Sequence, residues 1–377
     1  MKFEINRLEM LTAAKHAKKI APTNSPVDLL NGILIECNDD KPEVFLTATN
    51  HETSIQCKVK ASVSESGSML IHAGNLADIL TLLPGEHVEF SAVKPEILQI
   101  SGGKAVYKLL CLSANHYPKP VMPFPEEAVK MSGVCSLYKK TAFSASKDEH
   151  KGALKCVSVK MKGGALHASS CDGMKMMLVK GTTESMETRE FMLPVSLFAQ
   201  LAAVSTDKDV YEVGDIGKEI VFTKENMMFS MRKTEGTPMD PMTVLKTFIP
   251  KYSATVDVKR FRDALDTMAA GAGTSPVKLS FADNIIQMTR NGEFGASASN
   301  VPAIVKESTP DTGFHYNLSW LLKALSVFED KIKVDIDANG FLVIKTVNEV
   351  YLQLPIYKPA EEKTKTDNAA EPAKEAA

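Results

Sequence analysis

Cys171 and His167 are the residue types that a thiol nucleophile and its general base would require. They are four positions apart, and the surrounding pattern predicts a strand, along which four residues span about 13 Å. That separation is too long for a direct hydrogen bond, and the sequence offers no third residue to orient the histidine. The pair therefore does not predict a catalytic site.

Cofactor and metal chemistry are not predicted either. Gly271 and Gly273 lack the third glycine and the preceding strand of a dinucleotide-binding loop, and the chain has no P-loop motif. The six cysteines, at positions 37, 57, 111, 135, 156 and 171, include no CxxC pair, so neither a zinc site nor a disulfide framework is expected. We expect no enzymatic activity, no cofactor and no metal, and reduced core thiols in a cytoplasmic protein.

Basic residues at helical spacing are the other candidate chemistry, because lysine and arginine can contact DNA phosphates without reading base sequence. The formal net charge is -2, so attraction to nucleic acid must come from local clusters. Three predicted helices and their flanks carry such clusters: Lys15, Lys18 and Lys19; Lys139, Lys140, Lys147 and Lys151; and Lys259, Arg260 and Arg262. Aspartates offset the third cluster. By itself, mixed charge of this kind is more typical of a solvated helix surface.

Three methionines, Met174, Met176 and Met177, follow an Asp-Gly pair at 172–173 that is typical of a turn. Methionine is unbranched and polarisable, so it suits either a core with irregular gaps or a surface that receives several partners. Considered without the rest of the chain, the segment favours core packing, since hydrophobic side chains are mostly interior.

The elements that position these residues recur three times. Three segments share the order of short strand, leucine-rich helix and alternating strand: 71–91, 192–214 and 315–337. A second type of helix precedes each of them, at 5–20, 134–146 and 256–271. In the last of these helices an apolar stripe is formed by Val258, Phe261, Leu265 and Met268.

The repeat predicts an α+β fold, with two helices and roughly eight strands in each of three domains. We expect the domains at 1–124, 126–250 and 254–358, joined by a proline-rich linker at 116–127 and a second linker at 248–253. The tail at 359–377 has no aliphatic side chain larger than alanine and is predicted to be disordered. No apolar run is long enough to span a membrane, and the N-terminus does not resemble a secretory signal.

Short motifs in this frame carry a resemblance to a known family. They are MKFEI at the start, LLNGILIE at 29–36, TATNHETSI at 47–55, CDGMKM at 171–176 and YLQLPIYK at 351–358. Together they resemble the bacterial sliding clamp, the beta subunit of DNA polymerase III, over residues 1–358. Met174, Lys175 and Tyr357 stand where the family has His, Arg and Arg, which indicates a divergent member. Segment 235–250 is longer than the family's corresponding loop.

The resemblance implies three tandem DNA-clamp domains and a head-to-tail homodimer, whose six domains close a ring around double-stranded DNA. Helices would line the hole, and continuous sheet would form the outside. The three basic clusters would then face DNA without sequence specificity. Such a processivity factor would tether the replicative DNA polymerase, and its other partners would be the clamp loader and proteins with clamp-binding motifs.

The resemblance also implies a groove between the second and third domains, into which partners insert an apolar peptide. Carried over position by position, this groove comprises Leu154, Cys171, Gly173, Met174, Lys175, Met176, Phe248, Leu352, Leu354, Pro355, Ile356 and Tyr357. Its almost wholly apolar side chains suit an extended peptide, and the methionines suit several partners in turn. Met177 is expected in the core instead.

For the dimer, the resemblance implies that segment 104–112 is an edge strand that meets the third domain of the other subunit. Tyr107 and Leu109 on the strand, with Met268 and Ala269 on the opposing helix, match interface positions of the family. Burial within their own domains is the alternative for these residues. The alternative function is a non-encircling, clamp-like protein that captures or competes for clamp-binding peptides.

Overall fold

The computed structural model describes residues 1–148, 150–269, 276–292, 295–310 and 313–356. The predicted tail at 359–377, Tyr357, Gly271 and Gly273 lie outside the described residues. Within the described residues the α-helices are α1 Arg7–Ile20, α2 Ala73–Leu82, α3 Val134–Thr141, α4 Val195–Ala203, α5 Pro241–Thr247, α6 Val258–Ala269 and α7 Leu318–Leu325. No helix among them has the length and hydropathy that a membrane span requires.

The chain divides into two compact units. The first unit comprises residues 1–247 with 347–351, and the second comprises 248–346 with the residues from 352 onward. The strands of the first unit are β1 Lys2–Asn6, β2 Gly32–Cys37, β3 Glu43–Thr49, β4 Thr53–Glu65, β5 Gly67–His72, β6 His87–Lys94, β7 Ile97–Gly102, β8 Ala105–Leu110, β9 Val129–Ser132, β10 Cys156–Lys162, β11 Ala165–Cys171, β12 Lys175–Thr182, β13 Arg189–Pro194, β14 Val210–Ile216, β15 Glu219–Lys224 and β16 Met227–Arg232.

The remaining strands belong mainly to the second unit. They are β17 Pro250–Asp257, β18 Val277–Ala282, β19 Ile285–Gly292, β20 Gly295–Glu307, β21 Phe314–Tyr316, β22 Lys331–Asp337 and β23 Leu342–Lys345, with β24 Glu349–Gln353 divided between the two units after Tyr351.

One antiparallel sheet of the first unit runs in the order β8-β7-β6-β1-β4-β16-β15-β14-β9. The long strand β4 makes it continuous, because β4 pairs with β16 near Cys57 and with β1 near Val63. On its other side β4 pairs with β3, and β2 and β5 follow. The alternating sequence of β4 buries Ile55, Cys57 and Val59, as predicted for a strand with one covered face.

Helix α1 packs on this sheet beside α2. It begins at Arg7, two residues later than predicted, because Asn6 ends β1 and its side chain accepts hydrogen bonds from the Leu8 and Glu9 N–H groups. The buried face of the helix is Met10, Leu11, Ala13, Ala14, Ala17 and Ile20. This arrangement leaves the lysines of the first basic cluster exposed on the other face.

A second antiparallel sheet of the first unit has the order β13-β10-β11-β12, with α3 and α4 packed against it. Helix α3 ends at Thr141, earlier than predicted, because residues 142–144 form a 3-10 turn. In the β11–β12 hairpin Cys171 pairs with Met176. The hairpin turn at 172–174 therefore projects from the end of this sheet, where the candidate site lies.

The second unit contains an antiparallel sheet in the order β22-β17-β20-β19-β18-β21, with β23 paired to β22. Helices α6 and α7 pack against each other. The predicted apolar stripe of α6 is confirmed, since Val258, Phe261, Leu265 and Met268 are all buried. The apolar stripe anchors α6 in its own core.

The predicted α+β architecture with a threefold repeat is observed. Among the described residues, each successive third of the chain carries eight strands and two of the predicted helices: β1–β8 with α1 and α2, β9–β16 with α3 and α4, and β17–β24 with α6 and α7. The structure adds α5, a helix within segment 235–250, where we expected only a loop. The expected linker at 248–253 is mostly strand, since β17 begins at Pro250. The domain boundaries themselves stay predictions.

Candidate functional site

The Asp-Gly turn between β11 and β12 is built by one side chain. Asp172 Oδ1 accepts hydrogen bonds from the N–H groups of Met174 and Lys175, each at 2.9 Å. Gly173 has a φ of +96°, a conformation that glycine adopts without the strain that a Cβ would add. The turn therefore holds Met174 at the surface, where it is 44% exposed.

Lys175 does not present its charge at the surface. Its ammonium group pairs with the Asp172 carboxylate, and the two side chains are 7% and 17% exposed. A buried ion pair of this kind orients the groups it joins, and removing one partner strands the other charge. Burial, reinforced by the Asp172 charge, raises the pKa of Tyr351 well above its ordinary value. Lys175 thus stabilises the turn through its ion pair with Asp172 and adds no free cation to the proposed groove.

A small cleft lies beside this turn, within the first unit. It brings together Leu154, Cys171 and Met176 of the predicted groove, with Ala153 and Cys156 nearby. The cleft has a volume of about 20 Å³, enough for one water molecule. Sequence reasoning missed two groups that line it: the serines Ser158, Ser169 and Ser170, and the loop residues Pro238, Met239 and Pro241.

The serines change the expected chemistry of the cleft, which is not wholly apolar. Ser158 and Ser169 face each other across the β10–β11 ladder. The Ser158 hydroxyl donates to Glu190 at 3.0 Å, and the Ser170 hydroxyl donates to the Thr141 carbonyl at 2.5 Å. In the sequence, the Ser-Ser-Cys run at the end of β11 is the signal for this polar lining. It can be interpreted only when the strand pairing is known.

Cys171 is half-buried, unlike the five other cysteines, which are buried. Burial raises the pKa of its thiol, so the group stays protonated near neutral pH. The Gly173 N–H donates to its sulfur at 3.2 Å. Burial, with the charges of Lys180 and Lys160, lowers the pKa of His167. These shifts favour neutral forms of both residues.

The remaining predicted groove residues belong to the second unit. They are Phe248, Leu352, Leu354, Pro355 and Ile356. Leu352 and Pro355 are buried, whereas Phe248, Leu354 and Ile356 are half-buried. The Ile356 N–H donates to the His315 carbonyl at 2.7 Å, which fixes the end of this segment. Three of the twelve predicted residues therefore line one cleft, and the complete groove stays a prediction.

The basic clusters differ in how many of their charged side chains already pair with protein groups. In the first cluster Lys18 pairs with Asp78 at 3.0 Å and Lys19 donates to the Ala203 carbonyl, whereas Lys15 is exposed. Among the described residues Lys15 has no ion-pair partner within 4.0 Å. The exposed Lys18–Asp78 ion pair contributes little to stability, so Lys18 can exchange its aspartate partner for a DNA phosphate.

In the second cluster Lys140 pairs with Glu349 at 2.8 Å, while the others, Lys139, Lys147 and Lys151, are exposed. In the third cluster Asp257 caps α6 by accepting from the Arg260 N–H, and Arg262 lies 3.6 Å from Asp266. Lys259 is exposed. The aspartates therefore offset the third cluster, as the sequence predicts.

Strand β8 stands at the end of its sheet, so its outer edge has no partner strand within the described chain. The predicted interface residues Tyr107 and Leu109 are half-buried. Sequence reasoning missed the alternate residues, Val106 and Leu110, which point outward and are exposed, Leu110 to 79%. An unpaired strand edge with apolar side chains is a surface that favours pairing with another strand.

Met268 requires a correction. It was predicted at the dimer interface, yet it is 1% exposed, because it belongs to the core-facing stripe of α6. A side chain without accessible surface cannot contact a second subunit. Its neighbour Ala269 is exposed, and its place at the interface stays a prediction.

Comparison with known proteins agrees with this fold. Residues 1–123 match the family model described as DNA polymerase III beta subunit, N-terminal domain. The beta sliding clamp of Bacillus subtilis is 24% identical over 385 residues, which cover 94% of this chain and 99% of the relative. The beta sliding clamp of Chlamydia trachomatis is 27% identical over 216 residues, 55% of this chain; this chain spans about half of that relative's length, 50%.

Solved structures share the fold over nearly the whole chain. The beta subunit from the DNA polymerase of Streptococcus pyogenes superposes with a TM-score of 0.86 at 20% identity, covering 95% of this chain and 100% of that one. The sliding clamp of Bacillus subtilis superposes with a TM-score of 0.85 at 22% identity, with the same coverage. The first 123 residues therefore resemble the N-terminal domain of that family, and the predicted fold of three tandem DNA-clamp domains is confirmed over nearly the whole chain.

Proposed function

We propose that the protein is a DNA polymerase processivity factor, a homodimeric ring that encircles duplex DNA and slides on it without sequence specificity. The observation that carries this proposal is the threefold tandem fold, with a sheet that continues through β4 and β16 from the first domain into the second. A ring that is held on DNA by topology needs neither a catalytic group nor base contacts. The protein would act in the cytoplasm, where its DNA is.

Ring closure would use the free edge of β8. A heterologous contact whose rotation closes gives a ring, and closure also removes the exposed strand edge. Val106 and Leu110 offer the exposed apolar side chains, with Tyr107 and Leu109 contributing their accessible parts. The opposing surface would lie on the third domain of the other subunit and include Ala269.

DNA contacts would come from the basic clusters. Phosphate contacts made by exposed lysines position a protein without reading sequence, and their strength falls as salt rises. Lys15, Lys139, Lys147 and Lys151 are the lysines best placed for this role, since they are exposed. Lys18, Lys19, Lys140, Lys259, Arg260 and Arg262 would add weaker contacts, because protein groups already hold or offset several of them.

Partners would dock at the turn and its cleft. Met174 offers a flexible apolar surface, and Leu154, Cys171 and Met176 line the depression beside it. An extended peptide anchored by apolar side chains is the partner chemistry that suits such a surface. The replicative polymerase, the clamp loader and other proteins with clamp-binding motifs would use this site in turn.

Retention on circular DNA tests the proposal. The subunits are separated by dilution, reassembled in the presence of nicked circular duplex, and the complex is isolated by gel filtration. A ring stays on the circle and leaves after a single restriction cut, because free ends release it. Protein that is retained equally before and after the cut, or never retained, would contradict encirclement and favour the non-encircling peptide-capture protein. The offset third cluster and the altered motif residues, such as Met174 and Lys175, are the features of the chain that permit this alternative.

A further inference from the structure

The chain's own loop forms part of the wall of the cleft beside the Asp-Gly turn. Met239, with its neighbours Pro238 and Pro241, lines this cleft together with Leu154 and Cys171. Met239 is 38% exposed, so most of its side chain lies against protein. The space that remains accepts one water, whereas an apolar anchor such as leucine needs several times that volume.

The segment that carries Met239 has a defined contact on each side. At Gly236 a Cβ would lie 3.6 Å from the Ala153 Cβ, an ordinary van der Waals distance. At the other end Asp240 caps α5, since its carboxylate accepts from the Met242 N–H at 3.0 Å and its carbonyl accepts from the Thr243 N–H. Met239 lies between these two positions in the chain and lines the cleft.

We propose that segment 235–247 is a built-in ligand of this cleft: Met239 closes it in the unbound protein, and an incoming peptide with a bulky apolar anchor must displace Met239. This inference rests on the proposed peptide-docking function and adds its regulation. The apparent affinity for a peptide is then reduced by the fraction of molecules in which the cleft is open. Only peptides whose anchors fill the vacated space offset the loss of the Met239 contacts.

The size of this effect follows from the burial of Met239. Burial of a methionine side chain stabilises the closed form about as much as burial of another large apolar side chain would. Met239 is buried only in part, so it contributes part of that free energy. We expect the closed form to outnumber the open form by about tenfold, equivalent to about 1.4 kcal/mol. Removing the side chain beyond Cβ should abolish this preference.

The first experiment needs no partner, because Cys171 reports on the cleft. The five other cysteines are buried, so alkylation by iodoacetamide at pH 8 reads Cys171, and Cys171→Ser confirms the assignment by mass spectrometry. We expect Met239→Ala to raise the alkylation rate by about tenfold. Met186→Ala, a substitution of an exposed methionine elsewhere in the same unit, should leave the rate unchanged. An unchanged rate in Met239→Ala would overturn the proposal.

A second pair of variants tests how the segment is held. Asp240→Ala removes the cap of α5 and should also speed alkylation of Cys171, whereas Asp240→Asn keeps a capping acceptor and should behave as the unmodified chain. Equal rates in both variants would contradict the role given to the cap.

The last experiment measures binding of an acetylated Gly-Ser hexapeptide that carries one leucine and one phenylalanine, by its protection of Cys171 from alkylation. About tenfold tighter binding to Met239→Ala than to the unmodified chain supports displacement. Weaker binding to Met239→Ala would overturn it, since Met239 would then be part of the binding wall. Faster alkylation without peptide binding in any variant would support the closed cleft and contradict peptide docking there, so the two proposals fail separately.

Discussion

Replacing Asp172 by alanine should destabilise the first unit more than replacing its partner Lys175 by methionine. The carboxylate has two roles: it accepts from the N–H groups of Met174 and Lys175, and it neutralises the buried Lys175 ammonium. Asp172→Ala leaves that ammonium without its partner carboxylate at a position where the side chain is 7% exposed. Lys175→Met removes the charge and keeps a side chain of similar length.

The magnitude follows from the asymmetry of buried ion pairs. Removing one partner of such a pair destabilises by about 3–5 kcal/mol, because the other charge stays buried. Lys175→Met should cost less than Asp172→Ala, since the Asp172 carboxylate that it leaves behind is more exposed and keeps two N–H donors. Because Asp172 is 17% exposed, water can reach the vacated position, and the lower end, about 3 kcal/mol, applies. The two turn hydrogen bonds add about 1 kcal/mol at most, since water can replace the acceptor at this exposed turn.

Urea unfolding followed by circular dichroism measures the difference. With a slope of about 3 kcal/mol per M, a loss of 3 kcal/mol lowers the unfolding midpoint of the first unit by about 1 M. Asp172→Asn keeps a turn acceptor but not the charge, and should fall between Asp172→Ala and Lys175→Met. If Lys175→Met were as destabilising as Asp172→Ala, the stranded charge would not be the cause, and the reasoning would be refuted.

Three further predictions follow from single residues. Lys15→Gln should reduce the salt dependence of DNA binding by close to one phosphate contact, a change of about 0.9 in the logarithmic slope, and Lys18→Gln by less; equal slopes for the two would contradict the difference in their ion pairing. Leu110→Asp should convert a dimer into monomers in analytical ultracentrifugation, whereas Val93→Asp, at another exposed apolar position, should not. Burial and the charges of Lys224 and Lys19 lower the pKa of His16 to about 4, so the unfolded chain binds an extra proton between about pH 4 and 6.5. Stability should therefore fall by about 1 kcal/mol from pH 7.5 to pH 5 after allowance for solvent screening, and His16→Asn should remove that fall in thermal unfolding; a fall of the same size in the variant would rule His16 out as its source.

Local patterns made the helices and strands of this chain predictable. The 3, 4, 3 spacing of Val258, Phe261, Leu265 and Met268 describes one face of α6, and the alternation in β4 describes one face of a strand. The Asp-Gly pair predicted the turn that Asp172 and Gly173 build. Each of these signals involves residues within a few positions of one another, so the backbone geometry alone relates them.

The same patterns could not distinguish between two uses of one residue. Met268 fits both a core stripe and a helix end at an interface, and only the burial of α6 in its own unit decides for the core. Likewise, the family resemblance assigns Lys175 to the groove, whereas its ion pair with Asp172 leaves its side chain 7% exposed.

The sequence by itself determined most of the helices and strands, their threefold order and the turn, since short-range periodicity encodes which side of an element is apolar. It did not determine what covers that side. The pairing of β4 with β16, the contact of Lys18 with Asp78, and the cleft that Met239 lines with Leu154 and Cys171 each bring together residues tens of positions apart. Tertiary structure decided these, because a long-range contact depends on how the intervening chain closes, and local spacing carries no information about that closure.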